Sequence, residues 1–217
     1  MIGTSKLTAG VVAIGSLGFI GGAGAYIGGA FDSTKEQPKI IKTTINISQQ
    51  LKTDGFSELN PDIEGGDWTE ILNAYKQATN KTFSGQTEPE LRAKCKEVLK
   101  FENANTNYSS AKMWCVKKEK MNAILDRGGY TTLKADEAVV YREKEEWGKK
   151  ITALKNLNPK PFTELEGKIK ESSDQLDHNI GLLRGECAKI KINEIDTTDA
   201  TFENKFNLIK KWCSIKK

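Results

Sequence analysis

Apolar residues recur at helical spacing along most of this chain. From residue 68 to residue 79 the apolar positions are Trp68, Ile71, Leu72 and Tyr75, which are three or four residues apart and share one helix face. No run alternates between apolar and polar residues over a length typical of a strand. The pattern predicts an all-α fold composed mostly of helical hairpins.

The helix that follows has the most complete start signal in the sequence. Thr87 and Glu90 form a predicted capping box, and Pro89 stands between them in the first turn, where its missing N–H costs nothing. The next positions that share one apolar face are Leu91, Cys95 and Val98.

Three further helices are predicted toward the C-terminus. Residues 135–156 and 162–179 contain interleaved charges and form the two longer helices. Phe202, Phe206 and Ile209 line one face of the last helix. The elements predicted after residue 44 are therefore helices.

Four landmarks occur twice in the same order: a Leu-x-x-x-Gly-aromatic segment, a tryptophan, a cysteine and a Trp-Cys pair. In the first copy they are Leu51 to Leu59, Trp68, Cys95 and Trp114-Cys115. In the second copy they are Leu125 to Leu133, Trp147, Cys187 and Trp212-Cys213. All four tryptophans and all four cysteines of the protein lie on these landmarks. We therefore predict two helical repeat units, 45–117 and 118–217, each small enough to need a covalent staple or packing against the other.

The repeated Leu-x-x-x-Gly-aromatic segment predicts how each unit begins. Gly55 and Gly129 follow a short predicted helix at the distance of a C-terminal cap, where a left-handed backbone conformation favours glycine. The aromatic residue after each glycine, Phe56 or Tyr130, is expected to fold back onto that helix.

The first 31 residues have a different composition. From Leu7 to Phe31 there is no charged side chain over 25 residues, eight of which are glycine. A helix of that length covers roughly 37 Å, enough for a hydrocarbon core of about 30 Å. Residues 1–31 are therefore predicted to be a transmembrane anchor, and a secretory signal cleaved near Ala23-Gly24-Ala25 is the alternative. Residues 32–44 form a polar tether.

The four cysteines, Cys95, Cys115, Cys187 and Cys213, allow three interpretations: core residues, metal ligands or disulfide partners. Metal ligation is disfavoured because there is no close Cys-x-x-Cys pair and His178 is the only histidine. Cys95 and Cys115 lie about seven and eight residues from a polar turn at 103–107, which places both roughly 11 Å from it in an antiparallel hairpin. Disulfides Cys95–Cys115 and Cys187–Cys213 are therefore favoured.

Charge and motif content argue against several function classes. Charged residues make up 29% of the chain, and the net charge is +4 with interleaved signs. Proteins that bind nucleic acid instead concentrate basic residues in a stripe. The sequence has no glycine-rich phosphate loop, and His178 lies on a charged predicted helix rather than in a catalytic constellation. We therefore predict no enzyme activity, no cofactor, no metal and no nucleic-acid partner.

In combination, the motifs resemble large paralogous families of proteins encoded by haemotropic mycoplasmas. The resemblance is carried by the glycine-rich apolar start, the Leu-x-x-x-Gly-Phe segment, Asp67-Trp68-Thr-Glu-Ile-Leu, Leu91-Arg-Ala-Lys-Cys95, Ala111-Lys-Met-Trp-Cys115 and Lys211-Trp-Cys-Ser214. It implies a membrane-anchored surface protein of a wall-less parasite of red cells, with a part in host contact or antigenic variation. The second unit departs from the pattern in its longer interval between Trp147 and Cys187.

Together these observations predict a cell-membrane protein that is held by residues 7–31, with its C-terminal part outside the cell. Its expected partner is a host protein or an antibody, and it is expected to catalyse no reaction. Two alternatives stay open: an extracytoplasmic ligand-binding or enzymatic module with a pocket between the units, and an anchored adaptor that faces the cytosol with free thiols. Disulfides favour the outside, because they persist in oxidising compartments.

Overall fold

Most of the chain that the structure describes is α-helical. The computed structural model describes residues 45–79, 81–102, 105–134 and 137–217, with the side chains of 105–106 and 137–142 excepted. Its α-helices are α1 (Ile47–Thr53), α2 (Asp67–Gln77), α3 (Glu88–Val98), α4 (Asn105–Trp114), α5 (Met121–Arg127), α6 (Glu137–Lys155), α7 (Leu176–Lys189) and α8 (Phe202–Trp212). The predicted anchor, 1–31, and the predicted tether, 32–44, lie outside the described residues. Of the helices just named, none is both long enough and apolar enough to cross a bilayer.

One apolar core runs through the described residues, which belong to a single compact unit, Lys42–Lys217. Helix α2 buries Trp68, Ile71 and Tyr75, so the face predicted from their spacing is confirmed. Helix α8 buries the three residues predicted for it and also Trp212.

The start of α3 is the capping box that the sequence predicts. The Glu90 carboxylate accepts a hydrogen bond from the backbone N–H of Thr87 at 3.0 Å and another from the Thr87 hydroxyl at 2.8 Å. Leu91, Cys95 and Val98 are buried, as their shared face indicates. This helix therefore begins and buries its apolar side where the sequence places it.

The helix predicted over 162–179 is wrong in its first part. The structure has short 3₁₀ turns at Thr163–Leu165 and Ser173–Gln175, and α7 begins only at Leu176. Gly167, between these turns, has a φ of +68°, a left-handed conformation that interrupts an α-helix. The charges of this segment therefore lie on an irregular connection rather than on one helix face.

Two three-residue strands, β1 (Tyr130–Thr132) and β2 (Ser214–Lys216), were not predicted. They pair antiparallel, with Thr132 opposite Ser214. Three residues are too few for an alternating pattern to be recognised, because a strand signal needs four to eight positions.

Backbone hydrogen bonds recur at matched landmarks of the first half of the body (45–117) and the second half (118–217). The N–H of Leu59 donates to the carbonyl of Cys115 at 3.0 Å, and the N–H of Leu133 donates to the carbonyl of Cys213 at 2.8 Å. The helices that precede these bonds, α1 and α5, are both seven residues long. In both halves, the segment after the glycine is thus held against the Trp-Cys pair.

Candidate functional site

Two disulfides join α3 to the residue after α4 and α7 to the residue after α8. Cys95 bonds to Cys115, with Cα atoms 5.4 Å apart, and Cys187 bonds to Cys213, with Cα atoms 5.7 Å apart. No free thiol remains among the four cysteines, so neither thiolate metal ligation nor free core thiols describe this structure. In the chain-entropy model each closed loop stabilises the fold by about 3 kcal/mol.

All four tryptophans are buried in the same core as these bonds. Trp114 is fully buried, and its ring meets that of Tyr75 edge-on at a centroid distance of 5.0 Å. The Sγ atom of Cys95 lies 3.4 Å from the Trp114 carbonyl oxygen. The other three tryptophans, Trp68, Trp147 and Trp212, are also buried. The tryptophan landmarks are therefore part of the core and do not form an exposed stacking surface.

The two halves meet at their glycine segments. Gly55 has a φ of +91° and Gly129 a φ of +75°, as their predicted capping positions require. A Cβ atom on Gly55 would lie 2.2 Å from the carbonyl oxygen of Ile124, in the second half. The Arg127 Nε atom donates to the Gly55 carbonyl at 2.8 Å. Glycine at position 55 therefore permits a backbone contact between the halves.

A buried carboxylate of the first half binds a lysine of the second half. Lys210 Nζ donates to Asp54 at 2.8 Å, and the Tyr108 hydroxyl donates to the other carboxylate oxygen. Burial disfavours the charge on Asp54, but the hydrogen bonds from Lys210 and Tyr108 outweigh it, so the pKa of Asp54 lies below its ordinary value. Burial, together with the adjacent carboxylate, raises the pKa of Tyr108.

A second ion pair joins the halves, this time with the lysine in the first half and the carboxylate in the second. Lys112 of the first half, only 4% exposed, donates to Glu203 of the second half at 2.8 Å. The Ser109 hydroxyl donates to the same Glu203 oxygen at 2.6 Å. Burial opposes ionisation of Glu203, but these two hydrogen bonds lower its pKa below the ordinary value. Each half thus contributes one lysine and one carboxylate to the two ion pairs.

Three phenylalanines fill the space beside these ion pairs. The ring of Phe56 lies 6.1 Å from that of Phe202 and 5.3 Å from that of Phe206. The backbone N–H of Phe56 donates to the carbonyl of Leu51 at 2.9 Å, so the chain turns back at the end of α1. The Phe56 ring, however, packs against α8 of the other half, so this landmark also joins the halves.

A polar cleft of about 650 Å³ lies where α2 faces the second half. Glu70, Asn73 and Gln77 form one wall, on the exposed face of α2, and Lys118 and Thr198 lie opposite. Small side chains complete the lining: Ala74, Ala78 and Ala200. Within the described part of the chain, the side chains of Glu70, Asn73, Gln77 and Lys118 form no hydrogen bond or ion pair.

The remaining candidate from the sequence, His178, is exposed on α7. Its neighbour Asp177 forms an ion pair with Lys144 at 2.6 Å. Among the residues that the structure describes, no group of three or more His, Cys, Asp and Glu side chains is placed to hold a metal ion.

Comparisons of the chain with protein-family models, with curated proteins and with solved structures find no match.

The crossing ion pairs and the cleft were missed by sequence reasoning. One signal was present: Lys112 and Lys210 each lie two residues before a Trp-Cys pair. Their partners Glu203 and Asp54 are 91 and 156 residues away along the chain, so spacing could not identify them.

Proposed function

We propose that this chain is an exported, membrane-anchored protein that acts by binding and catalyses no reaction. The observation that carries the proposal is the pair of disulfides, because such bonds persist outside the reducing cytosol. In this proposal residues 7–31 are the anchor, residues 32–44 are the tether, and the rest of the chain is displayed outside the cell.

The proposed body consists of two tandem helical repeat units, 45–117 and 118–217, each stapled by one disulfide. The recurring backbone hydrogen bonds onto Cys115 and Cys213 support this architecture. Positive φ angles at Gly55 and Gly129 support it as well, because both glycines follow a seven-residue helix.

The proposed partner is a host protein or an antibody. The tryptophans and cysteines shared by the two units are buried, so they maintain the fold while the outer helix faces are free to differ. On α2, for example, Trp68, Ile71 and Tyr75 point into the core, whereas Glu70 and Asn73 are exposed. Such a division suits the role implied by the resemblance to haemotropic mycoplasma proteins, which is host contact or antigenic variation.

Protease treatment of intact cells tests this proposal. An antibody against the 118–217 region would detect the body before and after digestion, with a cytosolic protein as the integrity control and lysed cells as the digestion control. We expect the body to be removed from intact cells while the cytosolic protein survives. Survival of both in intact cells, with loss of both after lysis, would overturn the surface location.

The cleft supports a second candidate function, an extracytoplasmic ligand-binding module. Its lining comes from both halves, and about 650 Å³ is within the range of small-molecule sites. A thermal-shift screen of small polar solutes tests it, with Asn73→Ala/Gln77→Ala as the cleft variant and the exposed Lys76→Ala as the control. A saturable shift that only the cleft variant loses would favour this function, and no shift across the screen would favour the first.

A further inference from the structure

The two disulfides differ in their exposure to solvent. Cys95 and Cys115 are both 0% exposed, so solvent does not reach the first bond in the folded protein. Cys187 retains 7% exposure, whereas its partner Cys213 retains only 1%. Of the four cysteine residues, Cys187 therefore presents the largest surface to solvent.

A cavity lies against the second disulfide. It has a volume of about 130 Å³ and is lined by Cys187, Cys213, Leu133, Ala188 and Ile190, among others. Because about 10–15 Å³ of space open to a water-sized probe is enough to hold one water, this cavity admits solvent next to the bond. Ala188 is itself exposed, which leaves the approach to Cys187 open.

We propose that Cys187–Cys213 is a thiol–disulfide exchange site for low-molecular-weight thiols, and that Cys187 is the sulfur attacked. An external thiolate attacks Cys187 Sγ and forms a mixed disulfide, while the Cys187–Cys213 bond breaks. The electron pair leaves on Cys213 Sγ, which takes a proton from solvent. A second thiolate then attacks the sulfur of the bound thiol and releases Cys187, so two external thiols are oxidised to their disulfide and the two cysteines are reduced.

Exchange at this site would open one half of the molecule selectively. The broken bond releases α7 from the end of α8, whereas α3 stays joined to the end of α4 through Cys95–Cys115. The protein would thus have a partly reduced state in which the first staple is intact.

Timed exposure of the folded full chain to reduced glutathione tests the proposal. Samples are quenched with N-ethylmaleimide, and peptide mass spectrometry locates the glutathione adduct and the alkylated cysteines. We expect the second pair to react at least about tenfold faster than the first, with the first glutathione adduct on Cys187. Equal rates, faster loss of Cys95–Cys115, or a first adduct on Cys213 would overturn it.

Two variants test whether external thiols reach Cys187 through the cavity. Ala188→Leu places a larger side chain at the exposed mouth, where the core is not disturbed, and should slow exchange at Cys187 severalfold while the first pair is unaffected. Asn193→Leu, at another exposed position of the second half, should change neither rate. Unchanged exchange in Ala188→Leu would show that thiols do not enter through the cavity and would overturn the proposal.

In urea, which unfolds the chain, the two cysteine pairs of the original protein should react with glutathione at similar rates. A difference in rate that persists in urea would overturn the proposal too.

Discussion

At the residue scale, Lys112 and Lys210 connect the two halves of the body. Each lies two residues before a Trp-Cys pair, and each donates to a carboxylate of the other half at 2.8 Å. Each Nζ also lies over an aromatic ring four residues earlier, that of Tyr108 at 4.8 Å or of Phe206 at 5.3 Å. A lysine is thus used in the same way twice, while the carboxylate it meets comes from a different element each time.

Asp54→Asn is expected to lower the free energy of unfolding by about 3 kcal/mol, because it leaves the half-buried Lys210 ammonium without its anion. The exposed pair Asp62–Lys96 supplies the control, since solvent screens this pair and Asp62→Asn should cost much less than Asp54→Asn. Urea denaturation of the two variants measures both values. Equal costs would contradict a structural role for the crossing pair.

The carboxylates of the two crossing ion pairs, Asp54 and Glu203, should make the stability of the fold sensitive to acid. The pKa values of Asp54 and Glu203 are lowered in the fold, so the unfolded chain takes up protons first as the pH falls. The stability they contribute is therefore complete above their ordinary pKa values, about 4, and is lost as the pH falls further through the lowered values. Urea midpoints between pH 7 and pH 2.5 should show a smaller acid-induced decrease for Asp54→Asn/Glu203→Gln than for the original chain. Parallel curves would contradict the assignment.

At the scale of elements, the sequence predicted those helices whose position depends on neighbouring residues. Helices α2 and α3 follow from apolar spacing and from the Thr87–Glu90 capping box, since both act within one or two turns. The segment 162–175 was mispredicted because its composition resembles a helix, while Gly167 takes a left-handed conformation that composition does not reveal. The pairing of β1 with β2 joins residues more than eighty positions apart and leaves no periodic trace.

Gly55→Ala is expected to destabilise the fold by more than about 2 kcal/mol, because the new Cβ meets the Ile124 carbonyl and the backbone is already left-handed. Gly129→Ala is the matched control: its φ is also positive, but a Cβ atom there meets nothing within 4 Å. Thermal unfolding of both variants separates the contact from the backbone strain. The contact between the halves would be contradicted if Gly129→Ala cost as much as Gly55→Ala.

At the scale of the whole molecule, the halves share one core. Phe56 packs against Phe202 and Phe206, two partly buried ion pairs cross the boundary, and the buried residues of both halves form a continuous cluster. The duplication in the sequence predicted two units and the cysteine pairs on which they depend. It could not predict the contacts between them, because the carboxylate that each repeated lysine meets comes from a different element in each copy.

Shared packing predicts that the two halves unfold together. Phe56→Ala removes a ring from the boundary and should lower the free energy of unfolding by about 3 kcal/mol. Far-UV circular dichroism and tryptophan fluorescence should still follow one coincident transition in urea, before and after the substitution. Two separated transitions in the original chain would mean that the halves are independent.

Export of a disulfide-stapled body is the central proposal, and the redox state of the cysteines in the cell of origin tests it most directly. The protein would be isolated in denaturant with N-ethylmaleimide present from the moment of lysis, then weighed intact, with a reduced sample as the control. The proposal predicts no alkyl group before reduction and four after it, one for each of Cys95, Cys115, Cys187 and Cys213. Four alkyl groups before reduction would contradict both the staples and the export inferred from them.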